Sequence, residues 1–465
     1  MKVYRVRTPS SESLQNKAGG KPFINDLLQC NHEGIIMQNI NNEIQTSKQE
    51  DQHDWRRKTV MFLTGQTITL FGSMLVQYAM IWYITLTTKS GTMMMISTLC
   101  GFVPQILISL PAGVWADRYD RKKLIILSDS MIAFSTLILA VIWLSGFESL
   151  WLLFIISAIR SLGAGIQTPA VSAILPQLVP QDKLMRVNGI NGSIQGVTMI
   201  AAPVVSGAMM TVFSLSSIFF FDVVTAVIGI SMLSIIKIPL HAKALEQSNT
   251  NQRQDMKEGF LYIWHHPFLK TLIGFYFFIM LLIVPAALLT PLLTVRKFGD
   301  EVWRLTLIEV AFSGGAVIGG LMIAIWRGFK NRILTINLAA LAFGLLTASM
   351  GIANVFWLFL LLMIITGIML PFYNTSSTTL LQERIETNMQ GRVFSLVQVG
   401  SSTAFPLGIA LFGPLSDAVP IDSLLVVTGL LLVLIAGLML TNRKLRCAEG
   451  GCEDDLGITS ENSVS

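Results

Sequence analysis

The sequence predicts an all-α polytopic membrane protein, twelve transmembrane helices arranged as two pseudo-symmetric six-helix halves. Three observations lead there. Of its 465 residues, 52% are hydrophobic and only 13% charged, against roughly 45–50% and about 25% in soluble globular proteins. The apolar residues arrive in repeated blocks of about twenty, the length that crosses a bilayer core as a helix. The 33 basic residues fall in short clusters between those blocks, a placement that marks membrane topology and not a nucleic-acid surface.

In chain order, residues 1–55 are rich in Asn, Gln, Ser, Glu and Lys and poor in aromatics, so they bury too little to order themselves. A disordered cytoplasmic tail is expected there. Charge in Met1 to Thr8 is followed by no apolar run, so no secretory signal is read and the first span is expected to insert the chain. The apolar blocks then run over 59–84, 92–114, 124–146, 150–172, 189–213, 216–237, 268–294, 305–326, 333–352, 354–376, 393–416 and 421–441. Backbone groups in lipid must be paired within the segment, so each block is read as a helix.

Alternate connections carry Arg56-Arg57-Lys58, Arg118 to Lys123, Lys183 with Arg186, Lys237 to Lys257, Arg327 to Arg332, Arg384 with Arg392, and Arg443 to Arg446. The other side holds only Lys89, Arg296, Lys297 and Arg304. The basic side is expected to be cytoplasmic, which puts both termini inside and makes the span number even. A polar linker at 238–267 divides a first half, 56–237, from a second, 268–441, leaving a cytoplasmic tail at 442–465. The halves echo each other about two hundred residues apart. Pro203 answers Pro406, Gly165-x-x-x-Pro169 answers Gly367-x-x-x-Pro371, and Asn191, Gln195 and Thr198 answer Ser395, Gln398 and Ser402. Such duplication belongs to secondary transporters with a midplane substrate site.

Other chemistries are disfavoured. Cys30, Cys100, Cys447 and Cys452 have no disulfide or zinc spacing. The five histidines all fall in polar segments, against intramembrane haem. No phosphate-binding G-x-x-x-x-G-K-[ST] loop exists, so no nucleotide is expected. No paired-carboxylate or His-Asp constellation near the membrane suggests an enzyme such as a transferase.

The sharpest local signal is Gly113-Val-Trp-Ala-Asp117-Arg118-Tyr-Asp120-Arg121-Lys122-Lys123. Gly113 permits close helix approach, while Asp117 suits an adjacent arginine or a helix N-terminus in the other half. A gate built from Gly113, Asp117, Arg118, Arg121 and Lys122 would hold the cytoplasmic side shut; the bland alternative is that the basic residues only anchor the loop. Asp120 is expected to offer the arginines a second partner. The matching loop Trp326 to Arg332 keeps its basic residues without the acid, so the latch is expected to be asymmetric.

Charges inside spans cost at least about 2.5–3.5 kcal/mol each at a helix centre and are functional candidates by default. Arg160 and Gln167 share a face of span 4 and are expected to line the cavity with Gln66, Ser73 and Gln77 of span 1. Thr69 lies on the same polar stripe of span 1. Tyr373 and Asn374 are the cavity candidates from the second half, with packed or lipid-facing aromatics as the alternative. Asp222 and Glu309 are the proton-coupling candidates, with a purely structural Arg160–Asp222 pair as the alternative. Asp129 is expected in the cytoplasmic charge cluster beside Arg118 or Arg121.

The loop motif resembles the signature of the major facilitator superfamily, departing from it at Trp115 and Asp120. The wider pattern is similar to the branch containing bacterial macrolide-efflux proteins and enterobactin-exporter-like permeases. It rests on the Asp117 to Lys123 run, Arg160-Ser-Leu-Gly with Thr168-Pro169-Ala170, Met256-Lys257-Glu258-Gly259, Glu309 with Gly319-Gly320, Pro371-Phe372-Tyr373 and Gly391 to Leu396. Ala202-Pro203-x-x-x-Gly207 is also similar to a glycine-proline motif of drug antiporters, though plain helix packing explains it equally. The resemblance implies a monomeric, proton-driven antiporter that exports an amphipathic small molecule, a macrolide-like drug or a siderophore, from a bacterial cytoplasmic membrane. It uses no cofactor beyond the proton gradient, and its partners are the bilayer and its substrate, not nucleic acid. An importer or facilitator on the same fold, or a receptor that has lost transport, is the rival reading.

Overall fold

The computed structural model describes residues 22–236, 252–326, 328–329, 331–386 and 389–442, with side chains omitted for 22–54, 110, 117, 252–257 and 259. Fourteen helices are present among them: α1 (Pro22–Thr88), α2 (Gly91–Arg118), α3 (Arg121–Leu144), α4 (Leu150–Leu178), α5 (Leu184–Val212), α6 (Leu215–Ile235), α7 (Gln252–His265), α8 (Pro267–Leu288), α9 (Thr290–Lys297), α10 (Val302–Trp326), α11 (Arg332–Ile352), α12 (Phe356–Arg384), α13 (Gln390–Ala418) and α14 (Ile421–Thr441). Among the described residues, twelve membrane spans are long and apolar enough to cross a bilayer, with α8 and α9 forming one of them. No strand occurs among the described residues.

Of the compact unit Met1–Lys58, residues 22–54 are described only as backbone, helical from Pro22. Residues 1–21 lie outside the described residues. From residue 23 to the first span the sequence has no proline and one glycine, Gly34. A helix nucleated elsewhere propagates through such sequence at little cost per residue.

Within Thr59–Ser465, helix ends follow local chemistry. Ser90 accepts from the Met93 N–H, Asp120 from those of Lys122 and Lys123, and Asn331 from that of Leu334. Each satisfies donors that the first helical turn leaves orphaned. The seventh apolar block breaks at Leu289, two residues before Pro291, whose ring and missing N–H prevent a continuous ladder.

The packing repeats between halves. In the first, α2 lies against α4 and α3 against α6; in the second, α10 lies against α12 and α11 against α14. Across the halves, α2 meets α13 and α5 meets α10, two crossings that exchange when the halves are exchanged. At the second crossing Gly207 sits against Thr306, which leaves no room for a Cβ. Each half has its own core, one around Met80, Leu139, Trp143 and Phe219, the other around Phe343, Phe359, Tyr373 and Leu425. Large apolar side chains such as Phe134, Ile155, Val224, Leu361 and Leu438 remain exposed. Lipid is their natural solvent, so this outward greasiness costs nothing.

The linker between halves contributes α7, packed on α8 and α13. Its exposed Phe260 and Trp264 stack at 5.8 Å, and Lys270 of α8 caps the Trp264 ring at 3.4 Å.

Candidate functional site

The first half encloses a charge pair that four helices build. Arg160 of α4 and Asp222 of α6 form a salt bridge at 6% and 1% exposure. The Thr136 hydroxyl of α3 takes a hydrogen bond from Arg160 and lies 3.2 Å from Asp222 Oδ2. From α1, the Ser73 hydroxyl donates to Asp222 Oδ1 at 3.3 Å, and the Ser73 carbonyl accepts from Arg160 Nη2 at 3.2 Å. A buried pair this well furnished with partners is tolerable; one member alone would be a strongly destabilising buried charge.

Asp129 does not join the charge cluster at the basic loop. It is fully buried in α3, where the Gln167 amide donates to its Oδ1, and Gln66 of α1 stands beside it. Its position in the helix, two turns in from Arg121, turns it toward α4 and α1 and away from Arg118, which is exposed.

The loop motif staples the first half to itself. Arg121 donates to the carbonyls of Ala116 and Ala173, at 2.8 and 2.7 Å, tying α2 to α4. Lys122 Nζ reaches the last carbonyls of α6, Ser234 and Ile236, at 2.7 and 2.8 Å, a favourable place for a cation at a helix C-terminus. Asp120 caps α3 instead of serving the arginines, because its side chain stands within reach of the unpaired N–H groups there. Gly113 has nothing within 4 Å of where a Cβ would stand. The Asp117 side chain lies outside the described residues. In the second half, Arg332 pairs with Glu383 at 3.6 Å and Arg392 with Glu258 at 2.6 Å.

The opposite end is held across the halves. Asp417, at the end of α13, accepts from the Gly91 and Thr92 N–H groups at 2.8 and 2.9 Å and from the Ser90 and Thr92 hydroxyls at 2.7 Å each. It thereby caps α2 from the other half. Arg296 of α9 binds Asp417 at 2.7 Å and also reaches the carbonyls of Ser416 and Lys89 at 2.6 Å. Lys89 pairs with Asp300 at 3.0 Å. A Cβ on Gly91 would collide with the Gly413 carbonyl and the Ser416 hydroxyl, so only glycine lets the helices approach this closely. At the basic end, by contrast, Gly189, Gly192 and Gly196 of α5 and Gly391 and Gly400 of α13 have no atom within 4 Å of a would-be Cβ.

A family model of the Major Facilitator Superfamily matches residues 62–409. The chain belongs to the major facilitator superfamily. It is 30% identical over 389 residues to macrolide efflux protein A of Streptococcus pyogenes, covering 83% of this chain and 96% of that protein. With macrolide efflux protein A of Enterococcus faecalis it shares 31% identity over 322 residues, 69% of this chain and all of that protein. Among solved structures, an inward-facing bacterial homologue of the iron transporter ferroportin has the same fold, with a TM-score of 0.64 at 15% identity over 83% of this chain and 99% of that one. The protein is therefore a multi-pass membrane transporter for small molecules and not an enzyme.

The transporter gathers only part of the cavity expected from its sequence. Ser73 and Arg160 meet at the buried pair, and Gln66 and Gln167 meet around Asp129. Gln77 lies apart from both, part-buried beside Gly101 of α2. Thr69 turns its hydroxyl onto the Gly65 carbonyl and packs against Gly229 of α6. Tyr373 is buried in the second core, stacked on Tyr276 with ring centroids 5.8 Å apart, and neighbouring Asn374 is exposed. Glu309 of α10 is part-buried near Tyr78 of α1, at the face where the halves meet. Among the described residues it makes no hydrogen bond or ion pair. The clasp on Asp417 escaped the sequence reading, although Ser90-Gly91-Thr92 at a helix start and four lone cations on one side of the membrane were visible signals of it.

Proposed function

We propose that this transporter is a proton-coupled efflux antiporter that exports an amphipathic small molecule, a macrolide-like drug or a siderophore, by alternating access. The observation that carries this reading is Glu309, a carboxyl group at the junction of the halves with no ion-pair partner among the described residues. A charge there must find its counterpart in something that comes and goes, and a proton or a cationic substrate is such a thing. Asp222 is already committed to Arg160, so Glu309 takes the proton. Likeness to two macrolide efflux proteins along nearly their whole lengths supports the direction and substrate class.

In this reading the basic end faces the cytoplasm of a bacterial cell, with both termini inside, and a monomer suffices. Asp417 and Arg296 then close the outside. Asp117, Arg118 and Arg121 gate the cytoplasmic side in the alternate state. Glu309→Gln and Asp117→Asn, reconstituted separately in vesicles, are expected to abolish proton movement driven by erythromycin. Full flux in both variants overturns the assignment. A strain lacking the gene is expected to be more sensitive to macrolides; unchanged sensitivity to a panel of antibiotics and siderophores favours an importer.

A further inference from the structure

Three helices of the first half each carry a pair of polar residues seven positions apart: Gln66 and Ser73 on α1, Asp129 and Thr136 on α3, Arg160 and Gln167 on α4. Seven residues make about two turns, so each pair shares a helical face with a separation of about 10.5 Å. Helices α1 and α3 run away from the basic end and α4 runs toward it, which brings the six residues into two rungs. The deeper rung is Ser73, Thr136 and Arg160, completed by Asp222 of α6. The rung nearer the basic end is Gln66, Asp129 and Gln167.

The two rungs differ in one respect. In the deeper one the carboxylate has its cation. In the other, Asp129 is fully buried, one oxygen takes the Gln167 amide hydrogen, and Oδ2 has no hydrogen-bond partner. The charged groups facing this rung are Asp222 and Arg160 of its neighbour, which are committed to each other. Arg121 and Lys122, at the start of the same helix, are committed to carbonyls of α2, α4 and α6. Gln66 and Gln167 are part-exposed while the Arg160–Asp222 pair is buried, so the rung is the more accessible of the two and the nearer to the basic end.

We infer that Asp129 is a second proton-binding site, set between the buried Arg160–Asp222 pair and the basic end and distinct from Glu309. Its free Oδ2 takes a proton from water to become a neutral acid, and release returns the carboxylate. The inference deepens the proton-coupled reading above and rests on it for its place in transport.

The test is infrared spectroscopy on the full chain in lipid vesicles, titrated from about pH 8 to about pH 5, a range in which most proteins stay folded. The wild type is expected to show a carboxylic-acid C=O band that shifts in D2O, disappears in Asp129→Asn and persists in Glu309→Gln. Asp129→Glu is expected to keep a displaced band, which separates loss of the proton site from loss of the fold. A wild-type spectrum with the same bands as Asp129→Asn throughout, or a band that never exchanges with D2O, overturns the site. If the band behaves as expected but erythromycin moves no protons in wild-type vesicles, the site stands and the coupling reading fails.

Discussion

The two ends of the bundle use polar groups in opposite ways. At the end away from the basic loops, one carboxylate of the second half, Asp417, takes four hydrogen bonds from the start of α2 in the first half, and Arg296 locks it there. At the basic end the described contacts of Arg121, Lys122, Arg332 and Arg392 stay within one half or reach the helix that joins the halves. Charged residues are more numerous at the basic end, yet the other end is the one held shut. What closes an end is therefore the reach of charges across the interface, not their number. An alternating machine needs such bonds to be breakable, and hydrogen bonds to partly exposed charged groups, worth about 1.5–3 kcal/mol each, suit that need.

Four substitutions test this contrast between the ends. Asp222→Asn strands Arg160 inside the first half and is expected to cost about 3–5 kcal/mol of stability, read as a lowered thermal midpoint in detergent. Because that pair touches neither end, labelling at either end should stay balanced as before. A shift in labelling without a stability loss would show that the pair belongs to a gate.

Asp417→Ala removes the clasp itself. Losing even one charge-assisted bond should shift the balance of end states about tenfold or more toward opening of the clasped end, since about 1.4 kcal/mol is a factor of ten. The measurement is maleimide labelling of Gly196→Cys, on the open face of α5, in a chain whose four native cysteines are replaced. Labelling should slow; unchanged labelling would mean that apolar packing of α2 on α13 holds the end closed without Asp417. Gly91→Val attacks the same crossing by volume. Overpacking of this kind costs about 1–3 kcal/mol, and labelling should slow in the same direction.

The smallest effect belongs to Lys89 and Asp300, whose side chains are 47% and 63% exposed. The hydrogen bond from Lys89 holds the Asp300 carboxyl below its ordinary value. A lowered value means that the pair supports the clasped state at and above the usual carboxylate range and loses that support as pH falls through the lowered value. Acidification should therefore speed opening slightly, and Lys89→Ala should abolish that part of the pH response without moving the neutral-pH balance much.

Much of the fold was legible in the sequence because each span states its own case. A block of twenty apolar residues has to be helical in lipid whatever surrounds it. The site was legible only in part. Arg160 and Asp222 announced themselves as charges in apolar blocks, and so did Asp129, but its partner was misread. Nearness in sequence suggested Arg118 and Arg121, whereas a helical residue answers to the helix face it shares, which carried Asp129 to Gln167 and Gln66. Tyr373 stayed open between two readings for the complementary reason. An aromatic ring with a hydroxyl suits a cavity or a core equally, and only the structure shows that it packs against Tyr276 and Phe343.

By itself the sequence determined the class of protein, the twelve spans, the side on which basic residues gather and the short list of buried charges, because these depend on composition and local periodicity. The tertiary structure alone decided which charges meet: Arg160 with Asp222, Asp129 with two glutamines, and Asp417 with the start of α2, more than three hundred residues away. Pairing between distant helices depends on their tilt, depth and facing direction, and no local pattern along the chain records those.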